Sequence, residues 1–486
     1  MRDLSGVFWT RALGRPRKLG SFVITEREFR LQYDEDASDL PPYSLLLPTR
    51  SYAHRPHVHE RNEFLDVPAF LWSKIPPPSA SGEAPNIQRR MYLRSLIAAG
   101  RKPAPGIETD YEILMLSGRD GVGHLDVFRS DDDARRFYRG RRKLARSPKV
   151  ISEETDLWNM VGLAVADAID DESILDLVAT AVAPTPSIAG MIPKLAVTLP
   201  DAPVWDGTVS SPGVASANGQ PFVEAIVKIE PRHYPSLAAL EHLAFETHRR
   251  LGFETPRTWR HTTADGLELI AIERFDRKNG FPLAMESFFS ILSLAAGNRN
   301  SILTPIEGSY EMVVKAMFLR DPAVLSNPKR DIEDFIRRMA VSLLTGNGDM
   351  HLENIAVVSN GKEHRLSPVF DPAPMRAYPR HGQLSALAWF RGEPRPSIGI
   401  PGNIGDRFSD LARIAEIEND RLVELMEDVF DATADYLEAV TDAHDIQEGV
   451  KKEIINAIEP VRYRLCRHFG FDDKRGSSPS TTLGRT

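Results

Sequence analysis

The residues best suited to chemistry lie between Asp331 and Asp371. Asp349 stands five positions before Asn354, the D-x-x-x-x-N spacing used in the catalytic loop of phosphoryl-transfer enzymes. In that reaction a carboxylate orients the attacking hydroxyl and accepts its proton, while oxygen ligands hold a divalent cation on the phosphates. Asn354 offers an amide oxygen and Asp371 a carboxylate, two hard donors suited to magnesium. Gly346 and Gly348 flank Asn347 just ahead of Asp349, giving an irregular polar loop of the kind that carries function rather than core. Taken singly, Asp349 passes for a turn residue, Asn354 for a helix cap and Asp371 for a loop carboxylate. Together, in register with the elements around them, they point to phosphoryl transfer.

Those elements can be read from periodicity. Ile332, Phe335, Ile336, Met339, Ala340, Leu343 and Leu344 recur at helical spacing and predict a rigid, one-sidedly buried helix leading into the loop. After Asn354, Ile355–Val358 reads as a strand, Asn360-Gly361 as a turn and Arg365–Phe370 as the return strand. Strands of similar length would bring Asn354 and Asp371 side by side at one end of the hairpin.

Upstream, Gly20–Ile24 and Phe29–Tyr33 alternate like strands of a small sheet, and Arg89–Ala99 reads as a short helix. Residues 135–149 are rich in arginine and lysine, consistent with a solvated linker or helix face, or with contact to nucleic-acid phosphates. Two helical segments are expected between Glu153 and Ala183. Strands are expected at Lys194–Leu199, Phe222–Ile229 and Leu267–Phe275, the first two joined by an open, mobile connection over Pro200–Gln220. Ser236–Leu251 reads as a helix with Ser236 as its N-cap. Beyond Phe275 the pattern is mostly helical to about Phe471, and the tail is expected to be disordered. The fold class expected is α+β and bilobal: a small β-rich N-terminal unit with a basic linker (1–150), a mixed lobe (151–275), a helical lobe (276–471) and the tail (472–486).

Composition narrows the class. The 486 residues are 42% hydrophobic and 26% charged, as in ordinary globular proteins. A net charge of -8 argues against a chain that coats nucleic acid. One cysteine, Cys466, excludes an intramolecular disulfide and suits a reducing cytoplasm; it reads as core filler. No signal peptide and no membrane span is expected.

Asn347-Gly-Asp349-Met-His351-Leu-Glu-Asn354 resembles the N-x-D-x-H-x-x-N loop of the HipA-type serine/threonine kinase toxins. Ser187-Ile-Ala-Gly190-Met-Ile-Pro193-Lys194 resembles their S-x-x-G-x-x-x-K loop, and Glu273-Arg-Phe-Asp276-Arg277 their E-R-F-D-R segment. Pro42–Pro48 and Asp110–Gly123 resemble pieces of their N-terminal domain. The resemblance implies a bilobal, protein-kinase-like fold using ATP and magnesium, with Asp349 as catalytic carboxylate and Asn354 and Asp371 as metal ligands. It implies Lys228 as the ATP-phosphate lysine, Glu241 as its ion-pair partner, Gly190 and Lys194 in the phosphate loop, and the backbone through Glu273 and Phe275 as adenine hinge. His351 and Asn347 would orient the loop, and Ser187 would be autophosphorylated. A HipB-like helix-turn-helix antitoxin with operator DNA would be the partner, and an aminoacyl-tRNA synthetase the kind of protein phosphorylated.

Departures are local: Met191, Ile192 and Pro193 occupy the phosphate loop, and Pro372-Ala373 follow Asp371 where many kinases have Phe-Gly. The G-D-x-H-x-x-N pattern also fits small-molecule kinases of the aminoglycoside or choline type. A non-catalytic kinase-like scaffold that binds an antitoxin and DNA is a third reading.

Overall fold

The computed structural model describes residues 3–61, 66–76, 87–144, 150–152, 158, 194–217, 219–296, 304–381, 383–395 and 403–471. Ser187, Gly190, the two helices expected between Glu153 and Ala183 (Trp158 apart) and the tail lie outside the described residues.

Alternation builds the first sheet. Strands β1 (Leu4–Thr10), β2 (Arg17–Ile24), β3 (Glu28–Tyr33), β4 (His57–Glu60) and β5 (Leu125–Phe128) pair antiparallel in the order β4-β3-β2-β1-β5. Successive side chains point to opposite faces, so Phe22, Ile24, Phe29, Leu31 and Tyr33 share one buried side. The helices Ile87–Ala98 and Ile107–Ser117 pack there through Tyr92, Leu96, Ile113 and Leu114. The basic stretch belongs to a third helix, Asp131–Leu144, whose Phe137 and Tyr138 pack on Phe128. It is a helix face, not a linker, as far as Leu144.

A second, seven-stranded sheet follows: β6 (Val150–Ser152), β7 (Lys194–Pro200), β8 (Val209–Ser210), β9 (Ser216–Ala217), β10 (Gln220–Ile229), β11 (Thr258–Thr262) and β12 (Glu268–Glu273). Its path is β11-β12-β10-β7-β8-β6, with β9 paired to the start of β10. The Pro200–Gln220 connection is therefore not the open loop its composition suggests. Trp205 is buried there beside Trp158, whose indole N–H donates to Gly207 O at 2.8 Å, and this anchoring lets β8 pair with β7 and β6. Leu195, Val197, Leu199, Ala225, Val227 and Ile229 fill one face of the sheet. On the other face Ile270 and Ile272 pack against Ala238 and Phe245 of the helix Leu237–Arg250.

That helix is not capped by Ser236, which has a left-handed φ of 64° and makes no side-chain cap. Glu230 does it instead, accepting from the Ser236 N–H at 2.7 Å and the Ala238 N–H at 3.0 Å, where a carboxylate also suits the helix dipole. The Ser236 hydroxyl accepts from the Gln447 N–H.

The remainder is helical around the largest core. The helix Pro328–Thr345 is capped by the Asn327 side chain, starts on a proline and buries all seven residues of its predicted stripe. It stops at Gly346, at φ 77°, where a Cβ would sit 2.3 Å from the Ile454 side chain; only glycine fits both constraints. Strands β13 (Arg277–Lys278) and β14 (Phe281–Pro282) form a short hairpin. Strands β15 (Ala284–Ser287), β16 (Ala356–Ser359) and β17 (His364–Leu366) form a three-stranded sheet, of which β15 gave no signal in the sequence. The return strand is shorter than expected. Ser367 N–H still donates to Ala356, but Val369 N–H turns away to the Glu254 carbonyl, so Asn354 and Asp371 are not opposed in a ladder. The class is α+β, as expected. Among the described residues no helix is long and apolar enough to cross a membrane.

A buried ionic clamp joins the N-terminal unit to the segment after β12. Arg274 chelates Asp276 and Arg277 donates once to it, both arginines donate to the carbonyls of Asp120 and Gly121, and Asp276 accepts from the Gly123 N–H at 2.9 Å. Glu224 accepts from Arg277 and Arg141. Burial acts to raise the Asp276 carboxyl, but Arg274 and Arg277 outweigh it and hold it well below the usual range. A carboxyl depressed on folding adds stability above its unfolded value and loses it only as pH falls through the folded one. Asp276→Ala removes the carboxylate that both buried guanidiniums share and leaves them, among the described residues, only Glu224, 2.9 Å from Arg277 and 3.7 Å from Arg274, so urea unfolding should show a loss of about 3–5 kcal/mol. A loss under 1 kcal/mol would show that the clamp is not needed.

Candidate active site

The site begins with strand register. Lys194 on β7 and Lys228 on β10 are direct cross-strand partners, so their side chains leave the sheet on the same face. Like charges in that position repel, and both side chains are almost fully buried. Carboxylates resolve the conflict. Lys228 Nζ donates to Asp371 Oδ1 at 2.5 Å and to Glu241 Oε1, and Lys194 Nζ lies 3.7 Å from Asp371 Oδ2. Glu241 is fully buried on the helix Leu237–Arg250, and among the described residues its second oxygen has no hydrogen-bond partner.

The titration directions follow. Burial opposes charge on Lys228, but Asp371 and then Glu241 outweigh it and raise its pKa. Burial lowers Lys194, with Asp371 opposing and Lys228 adding to the effect. Burial would raise Asp371, yet Lys228 and Lys194 pull it well below the usual carboxylate range. Asp371 also has a left-handed φ of 52°, which aims a non-glycine residue at the lysines at some conformational cost.

The loop from Asn347 to Asn354 is fixed by its own polar groups. Asn347 Oδ1 accepts from the Asp349 N–H at 2.9 Å; the Asp349 carbonyl accepts from the His351 N–H and from Asn354 Nδ2, both at 2.8 Å. His351 Nδ1 accepts from the Glu353 N–H, and its Nε2 lies 3.9 Å from the Asp349 carboxylate. With its backbone held from three sides, Asp349 turns a side chain that is 49% exposed into the cleft, where among the described residues it accepts no hydrogen bond. The cleft walls withdraw solvent and push its pKa up; the pull of His351 opposes this and the charge of Asp371 adds to it.

One cavity of about 470 Å³ is lined by Lys194, Lys228, Asp349, His351, Asn354 and Asp371, and also by Glu273 and Phe275. That is the size of a small-ligand pocket. Glu273 turns its carboxylate to Arg257, and Phe275 packs on Phe370 at 5.5 Å between ring centroids. Asn347 sits behind the loop rather than on the cavity wall. Ser187 and Gly190 lie outside the described residues. Sequence reasoning missed Tyr234 and His381, joined by a 2.6 Å hydrogen bond on the Asp349 side, and Lys74 and His124 on the far wall. They come from distant segments that carry no motif.

The donor set fits magnesium. Asn354 commits its amide nitrogen to the Asp349 carbonyl, leaving its oxygen as the acceptor, and Asp371, its carboxyl held well below the usual range, lines the same cavity. Among the described residues no group of three or more His, Cys, Asp or Glu side chains could hold a metal.

Comparison with known proteins now decides the family. The profile of the HipA-like C-terminal domain matches residues 186–437, more than half of the chain. The chain belongs to the HipA family. It is 25% identical over 158 residues to a protein of Sinorhizobium fredii named as a kinase, covering 32% of each chain. It is 26% identical over 176 residues to a protein of Haemophilus influenzae also named as a kinase, covering 34% of this chain and 48% of that one. The chain thus spans from a third to a half of the length of these relatives. Among solved structures, HipA of Shewanella oneidensis MR-1, determined with HipB and its operator DNA, superposes with a TM-score of 0.56 at 14% identity, covering 95% of this chain and 98% of that one. The HipA fold, kinase-like and bilobal behind a β-rich N-terminal unit, therefore extends over nearly all of this chain.

Lys228→Met removes the stronger of the two charges that hold Asp371 ionised. The Asp371 carboxyl, followed by carbon-13 NMR, should then titrate at higher pH than in the wild type. An unchanged titration would mean that Lys194 alone sets its charge.

Proposed function

We propose that the chain is an ATP- and magnesium-dependent serine/threonine protein kinase of the toxin type. Its targets are a protein of the translation machinery, with an aminoacyl-tRNA synthetase the first candidate, and its own Ser187. The observation that carries this reading is the meeting of Lys228, Glu241 and Asp371 with Asp349 and Asn354 around one cleft.

Lys228, held by Glu241, would bind the ATP phosphates, with Lys194 and Gly190 in the adjoining phosphate loop. The backbone through Glu273 and Phe275 would take the adenine. Asn354 and Asp371 would hold magnesium, which neutralises charge on the phosphates when bound. Asp349 would accept the proton of a serine or threonine hydroxyl as that oxygen bonds to the γ-phosphorus. The bond from the γ-phosphorus to the bridging oxygen breaks, and ADP leaves. His351 and Asn347 would keep the loop in position. A phosphate on Ser187 adds a charge of about -1.5 to -2, enough to displace the segment carrying Gly190 and Lys194 and silence the enzyme. A HipB-like helix-turn-helix antitoxin, with operator DNA, is the partner we assign, supported by the shared fold with the Shewanella protein solved in such a complex. We assign the reaction to the cytoplasm.

Labelled ATP added to a whole-cell lysate tests activity and target together. Wild type should label a discrete protein band and itself, with mass spectrometry finding the phosphate on Ser187. Asp349→Asn, with unchanged thermal unfolding, should lower transfer about 10²–10⁴-fold. Undiminished transfer by that variant removes the reading, and label appearing in a small metabolite instead of protein replaces it with a small-molecule kinase.

A further inference from the structure

Away from the catalytic cleft the N-terminal unit holds a second cavity, of about 400 Å³, between its covering helices and the helix Asp131–Leu144. Four arginines line it (Arg101, Arg119, Arg129 and Arg136), against a single lining acid, Asp133. Three of the four are spoken for: Arg101 and Arg129 share Glu112, and Arg136 pairs with Asp133. Arg119 is different. Its guanidinium lies 5.6 Å from the Phe128 ring centroid and 5.7 Å from that of Phe137. One nitrogen donates to the Met115 carbonyl, Nε has no hydrogen-bond partner, and among the described residues it closes no ion pair. A cation withdrawn from water without an anion is costly. The aromatic rings repay part of that cost, and a bound anion would repay the rest. Burial accordingly acts to lower the Arg119 pKa; Asp133, then Asp126 and Asp120, oppose it only through space, and Arg129 adds to it.

We propose that this cavity binds the phosphate of a small phosphomonoester, with Arg119 as its central ligand and Arg129, Arg101 and Arg136 around it. Arginine's planar fork suits phosphate oxygens. A single dianionic phosphate fits a concave pocket of this size, whereas a polyanionic nucleic-acid backbone would meet Asp131, Asp132 and Asp133 at the start of the adjoining helix. The basic stretch that opens at Arg135 thus contributes through Arg136 and Phe137 to a pocket rather than to an extended DNA-binding face. The proposal does not depend on the kinase reading.

Titration calorimetry of the full chain with inorganic phosphate and with glucose 6-phosphate tests it, using Lys228→Met to remove the cleft lysine as a competing anion site. Binding should persist in Lys228→Met and weaken about tenfold or more in Arg119→Met, which keeps an apolar side chain of similar length. Arg136→Gln, at a side chain 69% exposed and so safe for folding, should weaken binding several-fold without altering thermal unfolding of the free protein. Unchanged affinity in Arg136→Gln together with either unchanged affinity or misfolding in Arg119→Met overturns the site. So does binding that disappears in Lys228→Met. If a short DNA duplex binds in place of the monoesters, with a salt slope that Arg119→Met reduces, the phosphomonoester assignment is overturned in favour of a nucleic-acid contact.

Discussion

Two lysines directly opposite one another in a sheet, both nearly dry, would push their strands apart unless something negative stood between them. Here Asp371 fills that place for both, and Glu241 completes the shell of Lys228 from the helix behind. Asp371 arrives from the far side of the cleft, so this one electrostatic requirement ties the seven-stranded sheet to the helical unit. It also sets what the cleft can accept. Its carboxylate stays ionised and its ammonium groups face a cavity, so a ligand with both phosphate oxygens and a divalent cation meets complementary charge on entry.

The second tie lies at the end of β12. The stretch Glu273–Arg277 borders the cavity with its first four residues and grips the N-terminal unit with Arg274, Asp276 and Arg277. The N-terminal unit is therefore a wall of the cleft and not an appendage, since Lys74 and His124 line the same cavity. A partner that moved this unit would pull on a clamp one residue away from Phe275. That is a physical route by which binding at the periphery could reach the site.

Rigidity around Asp349 comes from a different source, with little long-range charge involved. The helix Pro328–Thr345 is locked into the largest core and ends on a glycine that no other residue could replace without collision. The following loop then spends its own amides on itself, through Asn347, His351 and Asn354. Among the described residues the Asp349 carboxylate accepts no hydrogen bond, which suits the proton acceptor proposed for this position.

Local sequence determined much of this. The helix stripe, the glycine-flanked loop, the D-x-x-x-x-N spacing and the strands β2, β3, β7, β10 and β12 were legible because they depend on periodicity and on short-range backbone chemistry. Tertiary structure decided the rest. The cap of the helix Leu237–Arg250 went to Glu230 because its carboxylate, just past the end of β10, reaches the free N–H groups of Ser236 and Ala238. The strand after Asn360 ended early because Val369 found the Glu254 carbonyl, and the polar Pro200–Gln220 segment formed strands because two tryptophans anchored it. The pairing of Lys194 with Lys228, the clamp on Asp276 and the arginine cavity all join residues far apart in the chain. Their energies depend on burial and register, which no local window of sequence encodes.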